Sequence, residues 1–188
     1  MDAIVDVTKI RIETNRLVLR PFEPKDLYDF NAYARVPGVG ETAGWTYHKD
    51  IDESKRILDM FIEGKKTLAV LDKASNRVIG SLGLEETSPE LGDVYLDKIG
   101  RDIGYVLAKE CWGQGLMVEA VQAVIQYVFD VLDYDFVSCG YFLSNHQSQR
   151  VNQKCGFLFF KEITFTTRYG TVEPTNLTVL HNPRKDLR

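Results

Sequence analysis

Paired cysteines, long apolar runs and a charge excess are all missing from this 188-residue chain. Its three cysteines, Cys111, Cys139 and Cys155, lie far apart and form no C-x-x-C pair. That spacing does not suit a zinc cluster, and an odd count does not suit a secreted disulfide framework. The expectation is three reduced thiols in a cytoplasmic protein. The three histidines, His48, His146 and His181, follow no ligand pattern, so no metal is expected. No stretch approaches the ~20 apolar residues that a membrane span requires. Met1 to Arg16 alternates apolar with charged residues and holds no apolar core of a signal peptide. Twenty-seven acidic against 23 basic residues give a net charge of −4. That is not the basic balance of a non-specific nucleic-acid binder.

What is present is ordinary for a globular protein: 44% hydrophobic and 27% charged residues, with no repeat and no Pro/Gly/Ser-rich linker. The length suits one domain over residues 1–188, since domains commonly run ~100–200 residues. Leu17–Arg20 reads as a strand ended by Pro21. Asp26 to Arg35 carries Leu27, Phe30 and Ala34 at helical spacing, and Pro37-Gly38 stops it. Asp50 and Glu53 resemble a capping box before Ile57, Leu58, Phe61 and Ile62. Leu68–Leu71 and Val78–Leu84 read as a hairpin, and Glu85 to Lys98 as polar loop. Ile103–Leu107, a helix from Gly113 to about Leu132, and Phe136–Phe142 make a strand–helix–strand unit with a parallel pair. Asn145 caps a helix from His146 to Cys155, and Gly156 suits its left-handed end. Phe157–Phe160 and Thr175–Leu180 close the order. The fold class is mixed α/β (α+β), a sandwich around one twisted central sheet.

Two segments carry chemical signals. Trp112-Gly113-Gln114-Gly115-Leu116-Met117 lies between a strand and a helix. Glycines let the backbone approach a ligand closely, and free amides at a helix N-terminus favour phosphate. A tight loop that merely starts a buried helix reads equally from G-x-G. Neither a P-loop string nor the third glycine of a dinucleotide fingerprint is present; Val118 stands at the latter position. The second segment runs from Asn145-x-x-Ser148 to Lys154-Cys155-Gly156-Phe157.

Taken together, the chain resembles the GCN5-related N-acetyltransferase (GNAT) superfamily. It is most similar in pattern to the branch that acetylates ribosomal-protein N-termini. The residues that carry the likeness are Gly104-Tyr105-Val106-Leu107, Trp112-Gly113-Gln114-Gly115, Glu119-Ala120, Asn145, Ser148, Lys154, Gly156 and Phe157. Thr14-Asn15-Arg16-Leu17-Val18-Leu19-Arg20-Pro21-Phe22 resembles the branch's first strand. Met117 departs from the usual loop. Asn152 stands where many members carry a Tyr that protonates the leaving thiolate.

The resemblance implies a three-layer sandwich and acetyl transfer from acetyl-CoA to a primary amine, by direct attack in a ternary complex. Under it the amides from Gly113 through Leu116 and Met117 to Val118 bind the pyrophosphate. Tyr105, Val106, Leu107, Trp112, Gln114, Asn145 and Asn152 complete the cosubstrate site. Asp102, just before the cofactor strand, is the candidate base, with Glu85 and Glu86 as rivals. Ser148 is the candidate acid or thiol contact. Glu41, Trp45 and Glu85 are candidates to line the acceptor, although a Trp between two helices also plugs a core. The acceptor is read as a protein N-terminal α-amine. A polyamine or aminoglycoside acetyltransferase and a non-catalytic acyl-CoA-binding module are the alternatives. The chain is expected to be a monomer or homodimer, with neither nucleic acid nor membrane as a partner.

Overall fold

The computed structural model describes residues 2–185. Leu17–Pro21 forms β2, whose side chains are almost all buried, and a two-residue strand, β1 (Ile12–Glu13), pairs with it. Helix α1 (Leu27–Ala34) buries Phe30, Tyr33 and Ala34. Helix α2 (Ile51–Gly64) begins where Asp50 accepts from the Glu53 amide at 2.8 Å. The return bond of the expected capping box goes one residue further back: Glu53 Oε2 accepts from the Lys49 amide at 2.8 Å. Strands β3 (Thr67–Asp72), β4 (Arg77–Glu85) and β5 (Gly100–Leu107) follow as antiparallel neighbours.

Helix α3 (Leu116–Asp130) carries Gln122, Gln126 and Asp130 outward and buries Leu116, Val121, Val124, Ile125 and Val128. Each such aliphatic burial is worth roughly 1.5–3 kcal/mol, which fixes the helix against the sheet. Strand β6 (Phe136–Phe142), helix α4 (His146–Cys155) and the hairpin β7 (Leu158–Thr166) with β8 (Val172–His181) complete the order. Asn145 Oδ1 caps α4 by accepting from the Ser148 amide at 3.0 Å, and Gly156 ends it at φ +85°.

One eight-stranded mixed sheet results, ordered β1-β2-β3-β4-β5-β6-β8-β7. Helices α3 and α4 cover the face that carries Tyr105 and Cys139, while α1 and α2 cover the face that carries Ser81. The expected mixed α/β sandwich is what forms.

Three details differ from the reading of the sequence. Strand β5 begins at Gly100 rather than Ile103, so Asp102 lies within it and not before it. The β7–β8 hairpin is longer than its apolar cores, because β7 is a largely exposed edge strand extended by its backbone ladder to β8. The 85–98 segment is no simple loop: its two 3-10 turns bury Leu91 and Tyr95 over Phe136, Leu177 and Val179.

Candidate active site

The parallel pairing of β5 with β6 is short. It holds at Gly100↔Phe136, Arg101↔Val137 and Asp102↔Ser138, and among the described residues no further rung follows. Beyond Asp102, β5 stays with β4 while β6 stays with β8. The two strands therefore part, and the β5 backbone from Ile103 to Leu107 lacks a strand partner on that side. Such an edge accepts an extended ligand as an added strand would pair.

The far end of β5 leads into the glycine loop. Trp112 Nε1 donates to the Leu107 carbonyl at 2.7 Å and folds the loop back on the strand. Gly113 and Gly115 adopt φ +77° and +75°, a left-handed conformation that costs other residues about 1–2 kcal/mol. Gly115 is the N-cap of α3, and no side chain caps that helix. The amides of Leu116, Met117 and Val118 thus have no intrahelical acceptor. The side chains of Leu116 and Met117 are buried, so these residues offer a ligand their backbone only. Gln114 turns back to donate to the Glu110 carbonyl at 3.0 Å.

Arg16 is a site residue the sequence reading did not single out. Its Nε donates to Glu119 Oε2 at 2.7 Å and its Nη1 to the Gln114 carbonyl at 3.0 Å. Nη2 lies 3.7 Å from where a Cβ on Gly115 would sit. A guanidinium thus borders the open amides. The signal was visible only as an Arg in the first-strand motif, 98 residues from Gln114.

At the closed end of the wedge, Ser138 Oγ donates to Asp102 Oδ1 at 2.6 Å. Asp102 and Glu85 are direct cross-strand neighbours on the face of α1 and α2. Burial pushes the Asp102 carboxyl up to about 6; the Ser138 hydrogen bond opposes this and the Glu85 charge adds to it. Glu85 itself is paired with Lys66 Nζ at 2.5 Å, and Glu86 is exposed just past the strand.

The opposite face presents hydroxyls. Tyr105 Oη and Ser148 Oγ are 2.7 Å apart. Asn152, only 2% exposed, has its Nδ2 3.2 Å from Tyr105 Oη, 3.0 Å from the Ser148 carbonyl and 3.4 Å from Cys139 Sγ. Its Oδ1 lies 2.6 Å from Thr178 Oγ1, whose one proton is shared with the Cys139 carbonyl at 2.7 Å. Burial holds the Tyr105 phenol well above its ordinary value, so it keeps its proton. Asn152 reaches the wedge only through Tyr105 and Ser148.

The segment between α1 and α2 lies against β5 through its turn Glu41–Ala43. Glu41 Oε2 accepts from the Gly38 amide at 2.8 Å. The Trp45 ring packs over Gly40 and beside His48, with ring centroids 5.2 Å apart in the latter pair. Asn145 Nδ2 donates to the Thr42 carbonyl at 3.2 Å, and the Arg168 amide to the Gly44 carbonyl at 2.8 Å. The cover is therefore tied to α4 and to the β7–β8 hairpin. A separate cavity of about 640 Å³ lies over β2, β3 and β4. Its charges pair among themselves, as in Arg20–Asp26 at 2.7 Å and Arg11–Glu13 at 2.9 Å.

This geometry has relatives. The family model of the acetyltransferase (GNAT) domain matches residues 16–158. The chain belongs to the GNAT acetyltransferase domain family. It is 30% identical over 125 residues to an uncharacterized N-acetyltransferase, p20, of Bacillus licheniformis; the match covers 64% of this chain and 66% of that one. Its fold is similar to a ribosomal-protein-S5-alanine acetyltransferase of Vibrio fischeri, with TM-score 0.71 and 20% identity, over 95% of this chain and 100% of that one. It is equally similar to a spermidine N-acetyltransferase of Vibrio cholerae in complex with CoA and spermine, with TM-score 0.71 and 17% identity, over 90% and 97%.

The GNAT family uses acetyl-CoA, and the residues here fit that molecule. Open space above Gly113, the uncapped amides of α3 and the Arg16 guanidinium suit its pyrophosphate. The unpaired β5 edge suits its amide-bearing arm. Among the described residues, no group of three or more His, Cys, Asp or Glu side chains is arranged to hold a metal ion, and no helix is long and apolar enough to cross a membrane.

Proposed function

We propose that this GNAT protein transfers acetyl from acetyl-CoA to a primary amine by direct attack within a ternary complex, and that the acceptor is a protein N-terminal α-amine. One observation carries the reading: β5 and β6 part immediately above Asp102↔Ser138, with a carboxylate on one face of the gap and the Tyr105–Ser148 pair on the other.

Acetyl-CoA supplies the acetyl group as a thioester, which needs no further activation. Asp102 takes a proton from the acceptor ammonium, and the freed lone pair can then form the C–N bond. Unpaired backbone amides of β5 donate to the oxygen that gains charge. Ser148 donates to the sulfur that leaves with the C–S bonding pair. The second proton shed by nitrogen reaches that sulfur through water.

The matching of acidities supports the α-amine. A carboxyl near 6 faces a gap of ~2 units to an α-amine at ~7.7–8.0, against ~4 to a lysine at ~10.4. Free negative charge is also modest. Lys66 pairs with Glu85, which leaves less to attract a polycation.

The deciding measurement compares kcat/KM for a short peptide starting with Ser or Ala, the same peptide N-terminally blocked and containing Lys, and spermidine. The first should lead. A lead for spermidine or the blocked peptide moves the function to small-molecule or lysine acetylation. CoA binding without turnover of any amine leaves a binding module.

A further inference from the structure

We infer that Tyr105 is a positioning residue whose phenol holds the Ser148 hydroxyl with its proton turned into the gap between β5 and β6. The inference rests on the acetyl-transfer reading above and adds a residue that acts through another.

The direction of each proton follows from the contacts. A carbonyl can only accept, so the Asn152 atom 3.0 Å from the Ser148 carbonyl is the amide nitrogen. Its second proton faces Tyr105 Oη at 3.2 Å and Cys139 Sγ at 3.4 Å, and the phenolic oxygen, the stronger acceptor, takes it. The phenol has one proton left to give. Its best-placed acceptor is Ser148 Oγ at 2.7 Å, since the Ser148 carbonyl is at 3.5 Å. Ser148 Oγ thus accepts from Tyr105, and its own proton must point along another line. Among the described residues Ser148 Oγ has no second hydrogen-bond partner. The proton is available to a group that enters where β5 has left β6.

Asn152 is then a clamp and not a proton donor. Its amide nitrogen is fixed by the Ser148 carbonyl, and its oxygen shares the single Thr178 Oγ1 proton with the Cys139 carbonyl. The phenol missing at position 152 is delivered to the same cluster from β5. A hydroxyl that accepts from one neighbour donates more strongly to the next, because linked hydrogen bonds polarise one another. Ser148 so held is a better donor to sulfur as the C–S bond breaks.

The experiment is a double-mutant cycle on Tyr105→Phe and Ser148→Ala, read by kcat, by KM for acetyl-CoA and by the pKa of the CoA thiol in the binary complex, followed by thiolate absorbance. Because a general acid or donor contributes ~10²–10⁴-fold and Tyr105 governs a share of that, Tyr105→Phe should lower kcat about tenfold with acetyl-CoA KM unchanged. It should also raise the bound thiol pKa. In the Ser148→Ala background the same change should cost nothing further. An equal loss in both backgrounds, or a bound thiol pKa identical to wild type, overturns the inference. Should Tyr105→Phe fold poorly, 3-fluorotyrosine placed at position 105 keeps the phenol and makes it more acidic. The bound thiol pKa should then fall, and an unmoved value overturns the inference. A wild-type protein that binds no CoA defeats the acetyl-transfer reading together with this one. Binding and turnover with additive mutants defeat this one alone.

Discussion

Ser138 donates to Asp102 at 2.6 Å across the last paired rung of β5 and β6. The bond does two things at once. It satisfies a carboxylate that has little water around it, and it locates that carboxylate at the point where the strands part. Without a partner such a half-buried group would be less stable still and would neutralise more readily. With one, its acidity settles near 6, where it can exchange a proton at physiological pH.

Asp102→Asn tests both aspects. As the base, Asp102 must be ionised, so wild-type kcat/KM should rise through about pH 6, and the variant should lose that limb and ~10²–10⁴-fold of rate. Stability should move the other way. The folded value lies above the unfolded 3.8, so the favourable contribution of the protonated acid is present below 3.8 and lost as pH rises through about 6. Above that range the variant should be more stable than wild type, by up to about 3 kcal/mol. Urea titrations at pH 4 and pH 8 would see the gap open. Equal stability differences at both pH values would mean that the carboxylate is not penalised by the fold.

The glycine loop makes a sharper prediction. A Cβ on Gly115 would sit 3.7 Å from Arg16 Nη2. Gly115→Glu brings a carboxylate to that guanidinium, within the space an entering pyrophosphate needs. It also strains a residue at φ +75°. CoA affinity should drop by about 10²-fold, close to 3 kcal/mol, in calorimetric titration, while circular dichroism stays native. A folded variant with unchanged affinity would falsify the loop as the phosphate site.

Arg16 should carry part of the same affinity. Hydrogen bonds to charged groups contribute ~1.5–3 kcal/mol, so Arg16→Gln should weaken CoA about 10- to 100-fold. The Arg16 side chain is 43% exposed, and salt should reduce the wild-type advantage. Dephospho-CoA separates the two phosphate groups. If Arg16 meets the pyrophosphate, the variant loses the same factor for both molecules. A loss confined to CoA would instead move Arg16 to the 3′-phosphate.

Most of the frame was legible because it follows from periodicity. The amphipathic run Leu116–Leu132, the continuous apolar runs of β3 and β4, and the Asn145 and Gly156 caps each carry their own local cause. The edge strand β7 was only partly legible, since its residues from Lys161 to Thr166 gain backbone pairs and little burial. The site divided along the same line. Gly113 and Gly115 could be read because positive φ leaves a mark in composition. Tyr105, Ser148 and Asn152 were each named through the family likeness, but their hydrogen-bonded cluster could not be read, because it joins residues 43 and 47 apart through the packing of α4 on the sheet. Arg16 was hidden for the same reason. Glu41 and Trp45 were read as acceptor contacts from the family likeness and their residue types. The fold engages the Glu41 carboxylate within its own turn and packs Trp45 on Gly40.

Asn145 provides the last prediction, because it joins the helix below Ser148 to the cover over β5. Its Oδ1 caps α4 through the Ser148 amide, and its Nδ2 reaches the Thr42 carbonyl at 3.2 Å. Asn145→Ala removes both and should cost about 1 kcal/mol of stability, the usual worth of such a cap. Asn145→Asp separates the roles. It keeps an acceptor for the Ser148 amide and adds a negative charge that a helix N-terminus favours. It has no donor for Thr42 and sets a carboxylate against that carbonyl. Stability should therefore return toward wild type in Asn145→Asp, while the cover over the acceptor stays untied from α4 and held only from the β7–β8 side. Steady-state kinetics should give a severalfold higher KM for the amine in both variants, with the KM for acetyl-CoA little changed. If Asn145→Asp restores the amine KM along with stability, the bond to Thr42 has no part in holding the acceptor.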